Sequence, residues 1–379
     1  MVTCEGTHER SCGPAPLTLA PFFGALGLDP EEPLRNLVRG ARELPGRLVP
    51  LVLSVAARQG ESLGSGCTDE IRRMRARVED YRALATHLLA DIPGARVLKG
   101  PSLAERYPAG VLRPCGDLDV YVPDETALWR AAISVLGTRP VSDVNVTVLD
   151  GTGRTHWVVV LRWPGLDPVL DAEHRVELAT FAYPGLPGVV PVRAEPPEDQ
   201  AMGDLLALAE EAFQRSFTIK DVLDLAFTLD SAGCPAPAAL AAAGERYRLT
   251  PELLRLAQAL DDAEDVPRPA VNTHLLTLLR TPAAQELERR RVRSGQRDGA
   301  TTGRPHVDTA RPLHGLHLPA GPAPRPDDGA HFHEFADGVL LRCPVGEFLL
   351  VETELVDPSA YDSALAELRK LHAAEEALS

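Results

Sequence analysis

The segment Gly116-Asp-Leu-Asp-Val-Tyr-Val122 constrains this chain more than any other. Side chains alternate between the two faces of a strand. Leu118, Val120 and Val122 therefore turn into a core, and Asp117 and Asp119 turn together into a cleft. Carboxylates held that close repel, which is costly unless a divalent cation sits between them. Hard oxygen ligands suit Mg²⁺ (or Mn²⁺), which usually also takes substrate phosphate oxygens. Upstream, Val97-Leu-Lys-Gly-Pro-Ser102 reads as a strand end followed by a glycine turn. Backbone N–H groups approach a phosphate closely at such a turn.

Around this segment the chain changes character several times over its 379 residues, enough for two or three domains. Residues 1–68 read as a leader followed by short helices, with Leu34, Leu37, Val38 and Ala41 on one face. Residues 69–195 open on an amphipathic helix over about 69–91, then become strand-rich, with short apolar runs at 96–98, 118–122, 144–149, 157–163 and 169–170 and a helix over about 124–137. Residues 196–294 are helical, and 295–330 form a linker rich in Gly, Pro and Arg. Residues 331–379 read as a small α+β element, a hairpin followed by an amphipathic helix.

The formal net charge is −15, from 39 cations and 54 anions. A broad grip on nucleic acid needs a basic surface, so the balance argues against tRNA or DNA and leaves room only for a local basic pocket. Only three of the cations are lysines, Lys99, Lys220 and Lys370, and two of these fall in the segments singled out here. Six scattered cysteines without a CxxC pair fit reduced thiols and a cytoplasmic setting. Met1–Gly13 carries no secretory signal pattern, and no stretch approaches the roughly 20 apolar residues of a membrane span. Neither observation sets an oligomeric state.

A strand ending in a glycine turn, a short helix, then Asp-x-Asp on the next strand resembles the nucleotidyltransferase superfamily, with its polymerase-β-like fold. More closely, Leu98-Lys-Gly100, Tyr107, Arg113 and Gly116-Asp-Leu-Asp-Val120 resemble the bacterial family of uncharacterised nucleotidyltransferases, over about residues 70–230. The resemblance implies an α/β (α+β) fold: a mixed sheet with N-terminal helices, a C-terminal helical region and a small hairpin–helix appendage. It also implies a third carboxylate on a later strand, for which Asp171 in Pro168-Val-Leu-Asp-Ala-Glu-His-Arg175 is the candidate. There the chain departs from the family's Asp-x-His-x-Arg, with Glu173 where a histidine is usual and His174 one place later. Glu173 is therefore an alternative. Lys220-Asp-Val-Leu-Asp224-Leu resembles the Lys-Asp-x-x-Asp-Leu helix that follows the catalytic domain in abortive-infection-type nucleotidyltransferases.

The activity implied is transfer of a nucleoside monophosphate from ATP or another NTP to a hydroxyl of a small molecule, peptide or protein, with release of pyrophosphate. In that scheme Asp117, Asp119 and Asp171 hold Mg²⁺ and activate the acceptor. Gly100 and Ser102 cradle the phosphates, and Arg113, Lys99 and Lys220 offset charge. An Arg-rich chain with appended elements fits a tailoring enzyme of specialised metabolism. The same residues allow a toxin or phage-defence nucleotidyltransferase acting on tRNA or a partner protein, and a non-catalytic nucleotide-binding or scaffold protein. Plainer readings also stand beside each site. Lys99 can cap a strand end, and Lys220 and Asp224, one turn apart, form an ordinary helix ion pair. Cys115 reads as a small buried residue, and the histidines between 306 and 333 as part of a linker rather than a zinc site.

Overall fold

The computed structural model describes residues 17–44, 47–151, 154–295, 312–319, 329–353 and 356–377. Four helices come first: α1 (Ala20–Ala25), α2 (Leu34–Glu43), α3 (Val49–Arg58) and the long α4 (Ser65–Asp91). The sheet region follows as β1 (Arg96–Leu98), α5 (Pro101–Ala104), β2 (Leu118–Tyr121), α6 (Glu125–Thr138), β3 (Asp143–Gly151), β4 (Arg154–Trp163) and β5 (His174–Ala179). Then come α7 (Gln200–Glu210), α8 (Ile219–Asp230), α9 (Pro237–Tyr247), α10 (Thr250–Asp262) and α11 (Val271–Gly295). The chain closes on β6 (Leu313–His317), β7 (His331–Phe335), β8 (Gly338–Cys343), β9 (Gly346–Val351) and α12 (Pro358–Glu376). The fold is α+β.

Among the described residues nine strands form one mixed sheet in the order β1-β2-β5-β4-β3-β6-β9-β8-β7. β2 and β5 run parallel. The other neighbours are antiparallel. The alternation in β2 is as the sequence requires, with Leu118, Val120 and Val122 buried in the main core. Helix α4 is long because Ile71, Val78, Tyr81, Leu84 and Leu88 keep a buried stripe along it.

Two elements differ from the sequence reading. The apolar pair Val169-Leu170 is not a strand: both backbone N–H groups donate to Asp167 Oδ1, at 2.9 and 3.0 Å, which locks a turn. The strand lies later, at β5, where Val176 and Leu178 are buried and alternate with Arg175 and Glu177. Residues 313–317, inside the expected linker, form β6 on the outer edge of β3, so β6–β9 extend the same sheet. The close approach uses Gly315: a Cβ there would stand 3.1 Å from the Phe348 side chain.

Tyr81 on α4 couples the helix to both parallel strands. Its buried hydroxyl donates to Gly116 O (3.0 Å) and accepts from the Arg175 N–H (2.9 Å). Tyr81→Phe strands both backbone groups, so we expect a loss of about 1–3 kcal/mol in denaturant unfolding. An unchanged midpoint would show that water replaces the hydroxyl.

Candidate active site

The parallel pairing of β2 with β5 sets Asp119 opposite Glu177. Asp117, at the head of β2, joins them on the wall of one cavity of about 210 Å³, together with Lys99 and Glu211. Arg175 bridges the two strands: Nη2 donates to Glu177 Oε2 at 2.7 Å, and Nη1 lies 3.8 Å from Asp117 Oδ2. Glu177 is the carboxylate the sequence reading missed. Within His174-Arg-Val-Glu-Leu-Ala the alternation of Arg175, Val176, Glu177 and Leu178 marks a strand, but not that it lies beside β2.

Asp171 is not brought to this group. It precedes β5 in the loop, where Arg73 Nε donates to its Oδ1 at 3.0 Å and the Asp167 N–H donates to its Oδ2 at 3.1 Å. The alternative, Glu173, contributes its backbone carbonyl to Arg77 (2.9 Å).

The chain turns sharply at the end of β1, where Lys99 and Gly100 both take left-handed φ, 53° and 60°. A left-handed lysine is uncommon and is held here by its surroundings. Its N–H donates to Asp204 Oδ1 (2.9 Å), and its ammonium lies 3.1 Å from Asp119 Oδ2 and contacts Glu211. Ser102 Oγ donates to that same Asp204 oxygen at 2.8 Å. Ser102 thus fastens the turn to α7 rather than facing the cleft, whereas Gly100 lines it.

A second cavity of about 220 Å³ shares Lys99, Asp117 and Glu211 with the first and adds Gly100, Arg215 and Lys220. Carboxylates dominate one side of the cleft and cations the other. Lys220 lies 3.5 Å from Asp224 Oδ2, as the one-turn spacing requires. Arg113 has a different part from the phosphate contact expected of it. Its guanidinium is buried and forks onto Asp224, Nε donating to Oδ1 (2.6 Å) and Nη2 to Oδ2 (2.7 Å). Nη1 donates to Gly100 O (3.2 Å), and Tyr107 Oη donates to Asp224 Oδ1 (2.7 Å). This network ties the glycine turn to α8. Cys115, beside it, is buried.

Burial pushes the Asp119 carboxyl up to about 8, with Lys99 opposing and Asp117 and Glu177 adding to the rise. Burial raises Glu177 as well. For Lys99, burial acts downward, but Asp119, Glu211 and Asp117 outweigh it and hold the ammonium charged. Among the described residues no three His, Cys, Asp or Glu side chains are arranged to hold a metal ion. Mg²⁺ commonly takes only one or two carboxylates and completes its shell with water and substrate phosphates. The crowded, acid-rich pair of Asp117 and Asp119 fits that donor set, with the Lys99 ammonium now meeting part of the demand for positive charge. The histidines on β6 and β7 stand apart, since β9 and β8 lie between those strands; His306 lies outside the described residues.

No family model and no curated protein matches the chain. Among solved structures JHP933 from Helicobacter pylori is similar at a TM-score of 0.28 and 15% identity, over 62% of this chain and 99% of that one. A likeness that weak carries no argument. No described helix is long and apolar enough to cross a membrane.

Two predictions follow from the charges. Burial alone would raise Asp224, but Arg113 and Lys220 outweigh it and hold the carboxyl below its ordinary value. Its stabilisation is present above the unfolded carboxylate value of about 4 and is lost as pH falls below it. Asp224→Asn leaves the Arg113 guanidinium buried without its anion and costs about 3–5 kcal/mol at pH 7. The variant also shows a smaller acid-induced drop in unfolding midpoint than wild type; an equal drop contradicts the lock. Asp119 has the opposite sign. The fold holds its proton more tightly than the unfolded chain does, so its effect on stability worsens as pH rises to about 8. Metal-free Asp119→Asn should therefore melt above wild type at pH 8–9, and a lower melting temperature refutes that reading.

Proposed function

We propose that the protein is a nucleotidyltransferase that moves a nucleoside monophosphate, from ATP or another NTP, to a hydroxyl of an acceptor. The observation that carries this reading is the carboxylate group Asp117, Asp119 and Glu177 on neighbouring strands, beside a cavity lined by Lys99, Arg215 and Lys220. Asp117 and Asp119 would hold Mg²⁺, which supplies Lewis acidity toward the triphosphate when bound. Lys220 would offset charge on the triphosphate, Arg215 being forked onto Asp221 (2.6 and 3.0 Å), and the Gly100 turn lets backbone come close to the phosphates. Glu177, raised by burial, is suited to accept a proton and takes the basic role expected of Asp171. The acceptor oxygen bonds to the α-phosphorus, the α–β phosphoanhydride breaks, pyrophosphate departs and the acceptor proton passes to Glu177. The acidic balance of the chain favours a small molecule, peptide or protein over nucleic acid as acceptor.

Incubation with Mg²⁺, each labelled NTP and candidate acceptors tests this. Asp117→Ala with Asp119→Ala should lower pyrophosphate release by about a thousandfold or more. Glu177→Gln should lower the maximal rate by about a hundredfold, while Asp171→Asn leaves it within about threefold. Equal release by wild type and the double variant sinks the transferase reading. NTP binding without release would mark a nucleotide-binding protein instead.

A further inference from the structure

We propose that the cavity between the N-terminal helices and α4 is the acceptor site, and that it takes a small organic anion: a carboxylate or phosphate on an apolar body. As an acceptor site it rests on the transferase reading; as an anion site it stands on its own. The cavity holds about 560 Å³, within the range of about 300–1,000 Å³ usual for small-molecule sites. Its lining is positive on an acidic protein, with Arg42, Arg47, Arg73 and Arg77 against Glu70 and Asp171, and with Asp69 reaching Arg73 from outside the lining. Arg42 pairs with Glu70 (3.0 Å), and Arg73 pairs with Asp171 (3.0 Å) and with Asp69. Arg77 donates to backbone carbonyls, including Glu173 O and Ala172 O. Arg47 has no hydrogen bond or ion pair among the described residues. Neither is paired with a carboxylate; the Arg77 guanidinium is buried and spent on carbonyls, so Arg47 offers the fork that matches carboxylate and phosphate geometry.

The rest of the wall is apolar, from Val49, Pro50 and Met74. The loop between β4 and β5 supplies Leu170 to it. That loop exposes three large apolar side chains, Leu166 at 59%, Val169 at 90% and Leu170 at 65%. The Asp167 turn fixes them there rather than in a core. Apolar walls beside arginines, with exposed Leu170 among the lining, suit an amphipathic anion.

Arg47 joins this cavity to the nucleotide cleft, because it lines both. Its Nε lies 3.8 Å from where a Cβ on Gly116 would stand, one residue from Asp117. An acceptor anchored on the arginines therefore has the carboxylate group of the transferase site next to it. The same geometry gives α2 and α3 a task, since they supply Arg42 and one wall.

Fluorescence titration of the full chain with 1-pyrenebutyrate and with 1-pyrenebutanol, the same body without charge, tests the proposal. The acid should bind at least about tenfold tighter than the alcohol. Arg47→Glu and Arg42→Glu, both exposed positions, should remove that preference with an unchanged circular dichroism spectrum. Arg42→Glu should leave Mg²⁺–ATP affinity as in wild type. Competition by pentanoate against butyl phosphate tells which head group the arginines prefer. Equal binding of acid and alcohol, or a preference that survives in Arg47→Glu, overturns the anion site. If the preference holds while pyrophosphate release is indifferent to Asp117→Ala, the transferase reading fails and the anion site remains. If release depends on Asp117 but the preference is absent, the acceptor assignment fails alone.

Discussion

Two neighbouring strands running parallel, with a half-buried acid opposite a half-buried acid, is the constraint around which this protein is arranged. Asp119 and Glu177 face each other across β2 and β5, and Asp117 adds a third carboxyl group at the head of β2. Like charges in a poorly solvated site each disfavour the other's ionisation. The surrounding structure answers with Lys99 from the end of β1 and Arg175 from β5 itself, while Arg215 and Lys220 on the helical side of the cleft pair with Asp221 and Asp224. A fold that keeps such a cluster gives up stability there, because asparagine or an apolar side chain would be easier to bury.

The lock between Arg113 and Asp224 serves that cluster from a distance. Both side chains are buried, and the fork is completed by Tyr107 and by the Gly100 carbonyl. It fixes the glycine turn, and with it Lys99, relative to α8 and Lys220. Tyr81 and Arg77 on α4 do the same for the other wall by holding Gly116 and the loop ahead of β5. Positions that touch no substrate therefore decide where the charged groups of the cleft stand.

The strand bearing Asp117 and Asp119 was legible because a period of two places acids and core residues on opposite faces whatever the tertiary context. The Lys220–Asp224 pair was legible for the same local reason, at helical spacing. Glu177 was not, because its role depends on which strand lies beside β2 and in what register, a fact no local pattern carries. The Val169-Leu170 run looked like a strand, but a single side chain, Asp167, captures its backbone N–H groups in a turn. Arg113 looked free to bind phosphate because the acid that claims it lies 111 residues away in sequence. β6 was hidden in Gly- and Pro-rich surroundings, its five residues gaining their structure from β3 and β9 rather than from their own pattern.

In the proposed transferase Asp117 and Asp119 form a cation site completed by a nucleotide, and the Lys99 ammonium stands on Asp119 until that site fills. A crystal structure grown with Mn²⁺ and a non-hydrolysable ATP analogue tests this most directly, since the anomalous signal locates the ion. The expected result is an ion between Asp117 and Asp119, phosphate oxygens in its shell, and the Lys99 ammonium moved from Asp119 to the triphosphate. An ammonium still on Asp119, with no anomalous peak between the two carboxylates at saturating Mn²⁺ and nucleotide, would contradict it.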